Sequence, residues 1–313
     1  MLFSKQQLLT VFLEPDNIKL VVSQVSSGKA TRTYAGQISF PSTVLRDAFI
    51  ADSSKFSSQV KMALGQKPQL AQIKGVQLII PPEKTFIRTM DPNEDVESFL
   101  RSLPYFKEEL VLQSYPGKDK SGQIVHLAFE KKLVEELQQP FLDAGKKINL
   151  VTSGAYLLSA KTNLQEDYFL ILGLEKSSAV VVHKLGKIIQ LVSFVNDVFA
   201  TRFIEFVRNN NLTTVKKAQV LGSLSSEITT KLGTDLGLTF GAPIAGDIYD
   251  LMIDASVGKQ SLFSNAVVGT KGEPGKISLP SFSFNGNFLE TLKRGLPLLG
   301  AVTVGFVLAW VVI

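Results

Sequence analysis

The chain has 313 residues, no cysteine, two histidines and a formal net charge of +5. Without cysteine there are no disulfides, thiolate metal sites or cysteine nucleophiles, and His126 and His183, far from any carboxylate cluster in sequence, leave catalytic zinc without a ligand set. The mild positive charge contains no long Lys/Arg run, which argues against nucleic acid as a partner.

The first forty or so residues read as three strands. Leu8 to Leu13 is apolar, Glu14-Pro15-Asp16-Asn17 is a turn, and Ile18 to Val25 is rich in β-formers. The opening stretch does not read as a signal peptide, because a charge at Lys5 and this turn interrupt it. Ser26 to Lys29 turns again, and Tyr34 to Phe40 completes the meander. Phe56, Val60, Ala63 and Leu64 then fall at helical spacing between Ser54 and Leu64. Gly75 to Ile80, closed by Pro81-Pro82, is the short apolar run expected of a strand buried on both faces.

Block 84–130 reads as a small α+β insertion. Lys84 to Met90 is strand-like, and Asp91 to Leu103 is expected to be a helix with Asp91 as its cap and Pro92 at its first position. Leu110 to Tyr115 and Ile124 to Glu130 are two further strands, and the Tyr105-Phe106 pair ahead of them is read as core in preference to an exposed contact. An amphipathic helix from Lys131 to Ala144 stops near Gly145, followed by a strand over Ile148 to Thr152 and a short helix over Gly154 to Ala160.

The opening theme then returns. Strands are expected at Phe169 to Gly173, Ser178 to Lys184 and Ile188 to Phe194, with turns at Leu174-Glu175-Lys176 and Leu185-Gly186-Lys187. Asp197 is placed as cap of a helix running to Asn209, and Asn209-Asn210-Asn211 as its C-terminal turn. Ala218 to Leu221 is a short buried strand, and Ser225 to Leu236 a helix ending near Gly237. The same order thus occurs twice, about 160 residues apart, which indicates duplicated lobes. Residues 270–287 are rich in Gly, Pro, Ser and Asn and read as a linker. Leu296 to Ile313 carries no charge, and at about 1.5 Å per residue it would form about 27 Å of helix, close to the hydrocarbon thickness of a bilayer. Lys293 and Arg294 before it and Trp310 near its end are the flanking residues of a membrane span with the bulk of the chain on the cytoplasmic side.

Several stretches resemble one branch of the actin-like proteins, the pilus-assembly PilM family and its secretion-system relative GspL. They are Thr10 to Val21, the aromatic-then-acidic run Leu103 to Val111, the segment Leu133 to Leu158 with Ala144-Gly145 midway, and Ile171-Leu172-Gly173 followed by Ser177-Ser178. The resemblance covers about residues 8 to 255. It implies an α/β fold of the actin-like (ASKHA, ribonuclease H-like) type, duplicated into two lobes with a small α+β insertion, here followed by one C-terminal transmembrane helix. The corresponding domains are residues 1–160 (first lobe, with 84–130 inserted), 161–269 (second lobe), 270–294 (linker) and 295–313 (membrane helix).

An actin-like ATPase holds phosphate between two hairpin turns and uses an aspartate in each first strand around magnesium. By the resemblance those aspartate positions fall on Phe12 and Ile171, and the first turn glycine on Glu14, followed by Pro15, which has no N–H. Gly173, Ser177 and Gly222 are what remains of a vestigial nucleotide cleft, able at most to bind ATP weakly. Glu14, Asp16 and Glu175 are read as solvating the hairpin tips. No P-loop or nucleophile elbow is present, and no residue is assigned as catalytic or metal-binding. The expected function is that of a non-enzymatic scaffold, anchored by a single pass in the cytoplasmic membrane. The resemblance implies as partners the inner-membrane platform proteins of a type IV pilus or type II secretion system and the cytoplasmic motor ATPase, with a homodimer among the allowed assemblies. The alternatives are a membrane-recruited actin-like ATPase similar to FtsA and a sugar-kinase-like enzyme. Ile277-Ser278-Leu279-Pro280 resembles the peptide by which a membrane partner docks onto PilM-group proteins, but an extended linker accounts for it more simply.

Overall fold

A computed structural model of the chain describes residues 6–26, 29–116, 122–162, 166–222 and 224–258, all within one compact unit. The expected linker and membrane segment, with Lys293, Arg294 and Trp310, lie outside the described residues. Among the described residues no helix is long and apolar enough to cross a membrane.

Strands β1 (Gln6–Leu13), β2 (Asn17–Ser26) and β3 (Lys29–Ser39) form the first meander. A short hairpin, β4 (Leu45–Arg46) and β5 (Phe49–Ile50), leads to helices α1 (Ser53–Gln66) and α2 (Pro68–Ala71) and to strand β6 (Gly75–Ile80). The insertion supplies β7 (Thr85–Met90), α3 (Val96–Arg101), β8 (Leu110–Pro116) and β9 (Ile124–Glu130). Helix α4 (Lys131–Asp143), strand β10 (Lys147–Ser153) and helix α5 (Gly154–Lys161) follow. The second meander is β11 (Tyr168–Gly173), β12 (Ser177–Lys184) and β13 (Lys187–Val195), and it continues into α6 (Phe199–Asn209), β14 (Lys217–Leu221), α7 (Ser226–Leu236), β15 (Thr239–Phe240) and α8 (Ile248–Gly258).

Two five-stranded sheets share one topology, β10-β6-β1-β2-β3 in the first half and β15-β14-β11-β12-β13 in the second. In each, the first strand pairs antiparallel with the second and parallel with the fourth: β1 with β2 and β6, β11 with β12 and β14. A strand flanked on both edges and covered on both faces must be apolar nearly throughout, which is why the runs Leu8 to Leu13 and Phe169 to Leu172 are almost fully buried. Helices close the crossovers with local signals. The carboxylate of Asp52 accepts from Lys55 N–H at α1, Ser225 Oγ accepts from Ile228 N–H at α7, and Gly237 ends α7 in the left-handed conformation at φ 67°.

The expected elements sit close to their places, with instructive departures. β3 begins at Lys29 rather than Tyr34, because an edge strand needs only one partner and tolerates the polar run Lys29 to Thr33. The helix expected from Asp91 starts at Val96, with Asp95 as its cap (Glu97 N–H to Asp95 Oδ1, 3.0 Å). Asp91 is drawn away by Lys187 (2.6 Å) and Gln123 (3.1 Å). Asp197 caps nothing; it lies in a single 3-10 turn, Asn196–Val198, ahead of α6. Phe106 is not core but exposed. Helix α8 carries no sequence expectation, yet it returns from the end of the second half to cover β1, β2 and β3 with Leu251 and Met252.

Lys146 is buried just after α4, and its ammonium donates to the carbonyls of Leu70 and Ile73, each at 2.7 Å. Burial pulls its pKa down, so the bonds to these carbonyls carry the cost of keeping it there. Lys146→Met keeps the packed stem but removes the ammonium from both carbonyls, and urea denaturation is expected to show a loss of about 1–3 kcal/mol.

Candidate functional site

The ends of β1 and β11 open into two turns related by the duplication. Glu14 N–H donates to Asn17 C=O at 2.9 Å, and Leu174 N–H to Ser177 C=O at the same 2.9 Å. Phe40 N–H donates to Asp16 C=O (2.9 Å), and Asn196 N–H to Lys176 C=O (3.0 Å). Asp16 and Lys176 therefore hold equivalent places in the two halves, and their side chains meet each other at 2.5 Å. This ion pair, 160 residues apart in the chain, holds the carboxyl of Asp16 below the usual range and the ammonium of Lys176 above it. Glu14 to Asn17 and Leu174 to Lys176 line a small crevice between the two turns.

The carboxylates expected to solvate the tips divide three ways. Glu14 is only 2% exposed and is paired with Lys19 at 2.8 Å across the β1–β2 hairpin. Asp16 is engaged by Lys176, and Glu175 alone is exposed as expected. The turn backbones are tied inward as well: Pro15 C=O accepts from Ala48 N–H (3.0 Å), and Asn196 Nδ2 donates to the carbonyls of Leu174 (2.9 Å) and Glu175 (3.0 Å).

The three residues assigned to a vestigial cleft are brought together in part. Gly222, at φ 88°, approaches Gly173 so closely that a Cβ on it would lie 2.3 Å from the Gly173 carbonyl oxygen. Ser177 contributes the carbonyl that closes the second turn. Sequence reasoning missed Glu83, which lies in a 3-10 turn (Pro82–Lys84) beyond β6. Burial pushes its carboxyl pKa up, and the charge of Glu14 adds to the rise. The double proline before it marks the turn but gives no sign of the burial. Among the described residues no group of three His, Asp or Glu converges where a metal ion could be held. His126 is hydrogen-bonded to Ser114 and His183 to Ser159, each at 2.9 Å.

No family profile matches the sequence, and no curated protein matches it. Solved structures do match, and they define the class: this is the actin-like ATPase fold. A Bacteroides thetaiotaomicron protein described as having that fold and unknown function is 12% identical, with a TM-score of 0.54 over 80% of this chain and 96% of that one. Two assembly proteins are similar to the same degree. The PilM–PilN type IV pilus biogenesis complex provides a chain 14% identical at TM-score 0.53, covering 78% of this chain and 89% of that one. The cytoplasmic domain of EpsL, an inner-membrane component of the Vibrio cholerae type II secretion system, is 11% identical at 0.51, covering 82% and 96%.

Two substitutions probe the site. Gly222→Ala adds both a left-handed penalty and a clash with backbone, and thermal unfolding is expected to show a loss of about 2 kcal/mol or more. Glu83→Gln mimics the protonated carboxyl. Because the folded protein binds that proton more tightly, the parent's stability falls as pH rises through the ordinary glutamate value of 4.5 and the raised one above it. The variant is therefore expected to be the more stable at pH 7, with the advantage gone once pH is below the ordinary glutamate range.

Proposed function

We propose that the chain is a scaffold of actin-like fold in the inner-membrane platform of a type IV pilus or type II secretion-like machine, working by protein contact without turnover of ATP. The observation that carries this reading is the contact between the two turns. Where an actin-like ATPase would separate two turns with phosphate, Asp16 and Lys176 grip each other. Pro15 offers no N–H to an anion, and the buried charge of Glu14 would repel one. On this reading Gly173, Ser177 and Gly222 serve the packing of the turns, not a nucleotide. The likeness of the fold to PilM and to cytoplasmic EpsL supports the choice of machine. Residues 1–160 and 161–269 are the proposed lobes, 84–130 the contact subdomain, 270–294 the linker and 295–313 the single membrane anchor of a chain that faces the cytoplasm. Platform proteins, the motor ATPase or a second copy of the chain would be its partners.

Titration of magnesium and ATP into the full-length chain is expected to give no heat of binding and no phosphate release above background. Hydrolysis abolished by Glu14→Gln or Glu175→Gln would instead make it a membrane-recruited ATPase. Carbonate extraction of the full chain and of a form ending at residue 294 checks the anchor: the first is expected in the membrane pellet, the second in the supernatant.

A further inference from the structure

Phe106 is 78% exposed, matched among the large apolar side chains of the described residues only by Leu185 at 80%. Leu185 occupies the left-handed tip of the β12–β13 hairpin, where a side chain has nothing to pack on. Phe106 is held differently. Its N–H donates to the Glu109 carboxylate and its carbonyl accepts from the Glu109 N–H, both at 3.0 Å. Lys107 pairs with Glu97, which ties the 3-10 turn Lys107–Glu109 back to α3. Beside it in the chain, the Tyr105 ring meets Phe86 edge-on at 5.8 Å between centroids. An apolar ring is thus presented to solvent on a turn whose shape is already set, so little ordering remains to be lost when something covers it.

The surroundings select what can cover it. Across the insertion, residues 84–130, eight carboxylates stand against six cations, in a chain whose net charge is +5. Glu108 and Glu109 follow Phe106 closely in the chain, the Glu109 carboxylate accepts from its N–H, and Lys107, between Phe106 and Glu108, pairs with Glu97. Anionic lipid and nucleic acid are repelled by that setting. A single knob flanked by acids fits a helix: the hole between four residues of an apolar stripe accepts one large side chain, and Lys or Arg beside the stripe meets the acids.

We propose that Phe106 is the anchor on which the inserted sheet receives a basic amphipathic helix of a partner protein. The inference rests on the scaffold reading for the existence of such a partner, and it names the partner's chemistry. Fluorescence anisotropy of a labelled Leu/Lys amphipathic helical peptide against the full-length chain tests it, with the same peptide carrying Glu for Lys as control. The Leu/Lys peptide is expected to bind, Phe106→Ala to weaken it about tenfold or more, Glu108→Lys to weaken it several-fold and Phe106→Leu to retain most of the affinity. All three variants alter exposed side chains, and circular dichroism checks that the fold is kept. Equal affinity for the parent and Phe106→Ala, equal binding of the Leu/Glu peptide, or binding of neither peptide overturns the proposal. Phosphate release measured on the same preparation fails or passes independently of these outcomes, so the scaffold reading and the anchor are judged apart.

Discussion

Parallel pairing of β1 with β6 and of β11 with β14 governs the rest of the molecule. A strand that is hydrogen-bonded on both edges and covered on both faces has no freedom in register, so its end is the best-defined point of each half. Phe12 lies opposite Ile79, and Leu172 opposite Leu221, which puts the following turns at the same end of the two sheets. In open α/β sheets that end is where ligands bind. Duplication then guarantees that whatever occupies one turn confronts its counterpart in the other. Asp16 and Lys176 are such counterparts, and opposite charge at the two equivalent positions brings their side chains into contact.

The chemistry of the turns follows from that self-contact. An anion held between hairpins needs free N–H groups and no nearby negative charge. Here Glu14 N–H and Leu174 N–H are used within their own turns, and Pro15 has none. Glu14 is buried with the Lys19 ammonium 2.8 Å away, so the hairpin supplies its own counter-ion. The Gly173–Gly222 approach adds a backbone contact that no larger residue permits.

How much of this could be read from residues alone depended on distance along the chain. Gly75 to Ile80, Ile124 to Glu130 and the left-handed Asn211 (φ 55°) were legible because burial on two faces and helix termination leave local marks. The cap of α3 was not: the sequence pointed to Asp91, which Lys187, 96 residues away, claims, and Asp95 caps the helix instead. Glu14 looked like a solvated tip residue, and only the pairing of Phe12 with Lys19 reveals that the ammonium arrives beside it. Phe106 read as core because aromatics usually are, while the capping of its turn by Glu109 holds it outward. Helix α8 escaped notice because its burial is decided by strands about two hundred residues earlier, beyond the reach of any local pattern.

The insertion completes the argument about closure. It leaves the first half as the continuation of β6, yet β7 lies alongside β13, the edge strand of the second sheet. The contact is made by side chains: Thr89 Oγ1 accepts the Ile188 N–H at 3.0 Å, and Asp91 binds Lys187. An exposed edge strand invites pairing with another chain, and this arrangement covers it. It also straps the two halves together at a second place, away from the Asp16–Lys176 pair. With an ion pair at the crevice and a strap along β13, rotating one half against the other breaks two unrelated sets of polar contacts at once.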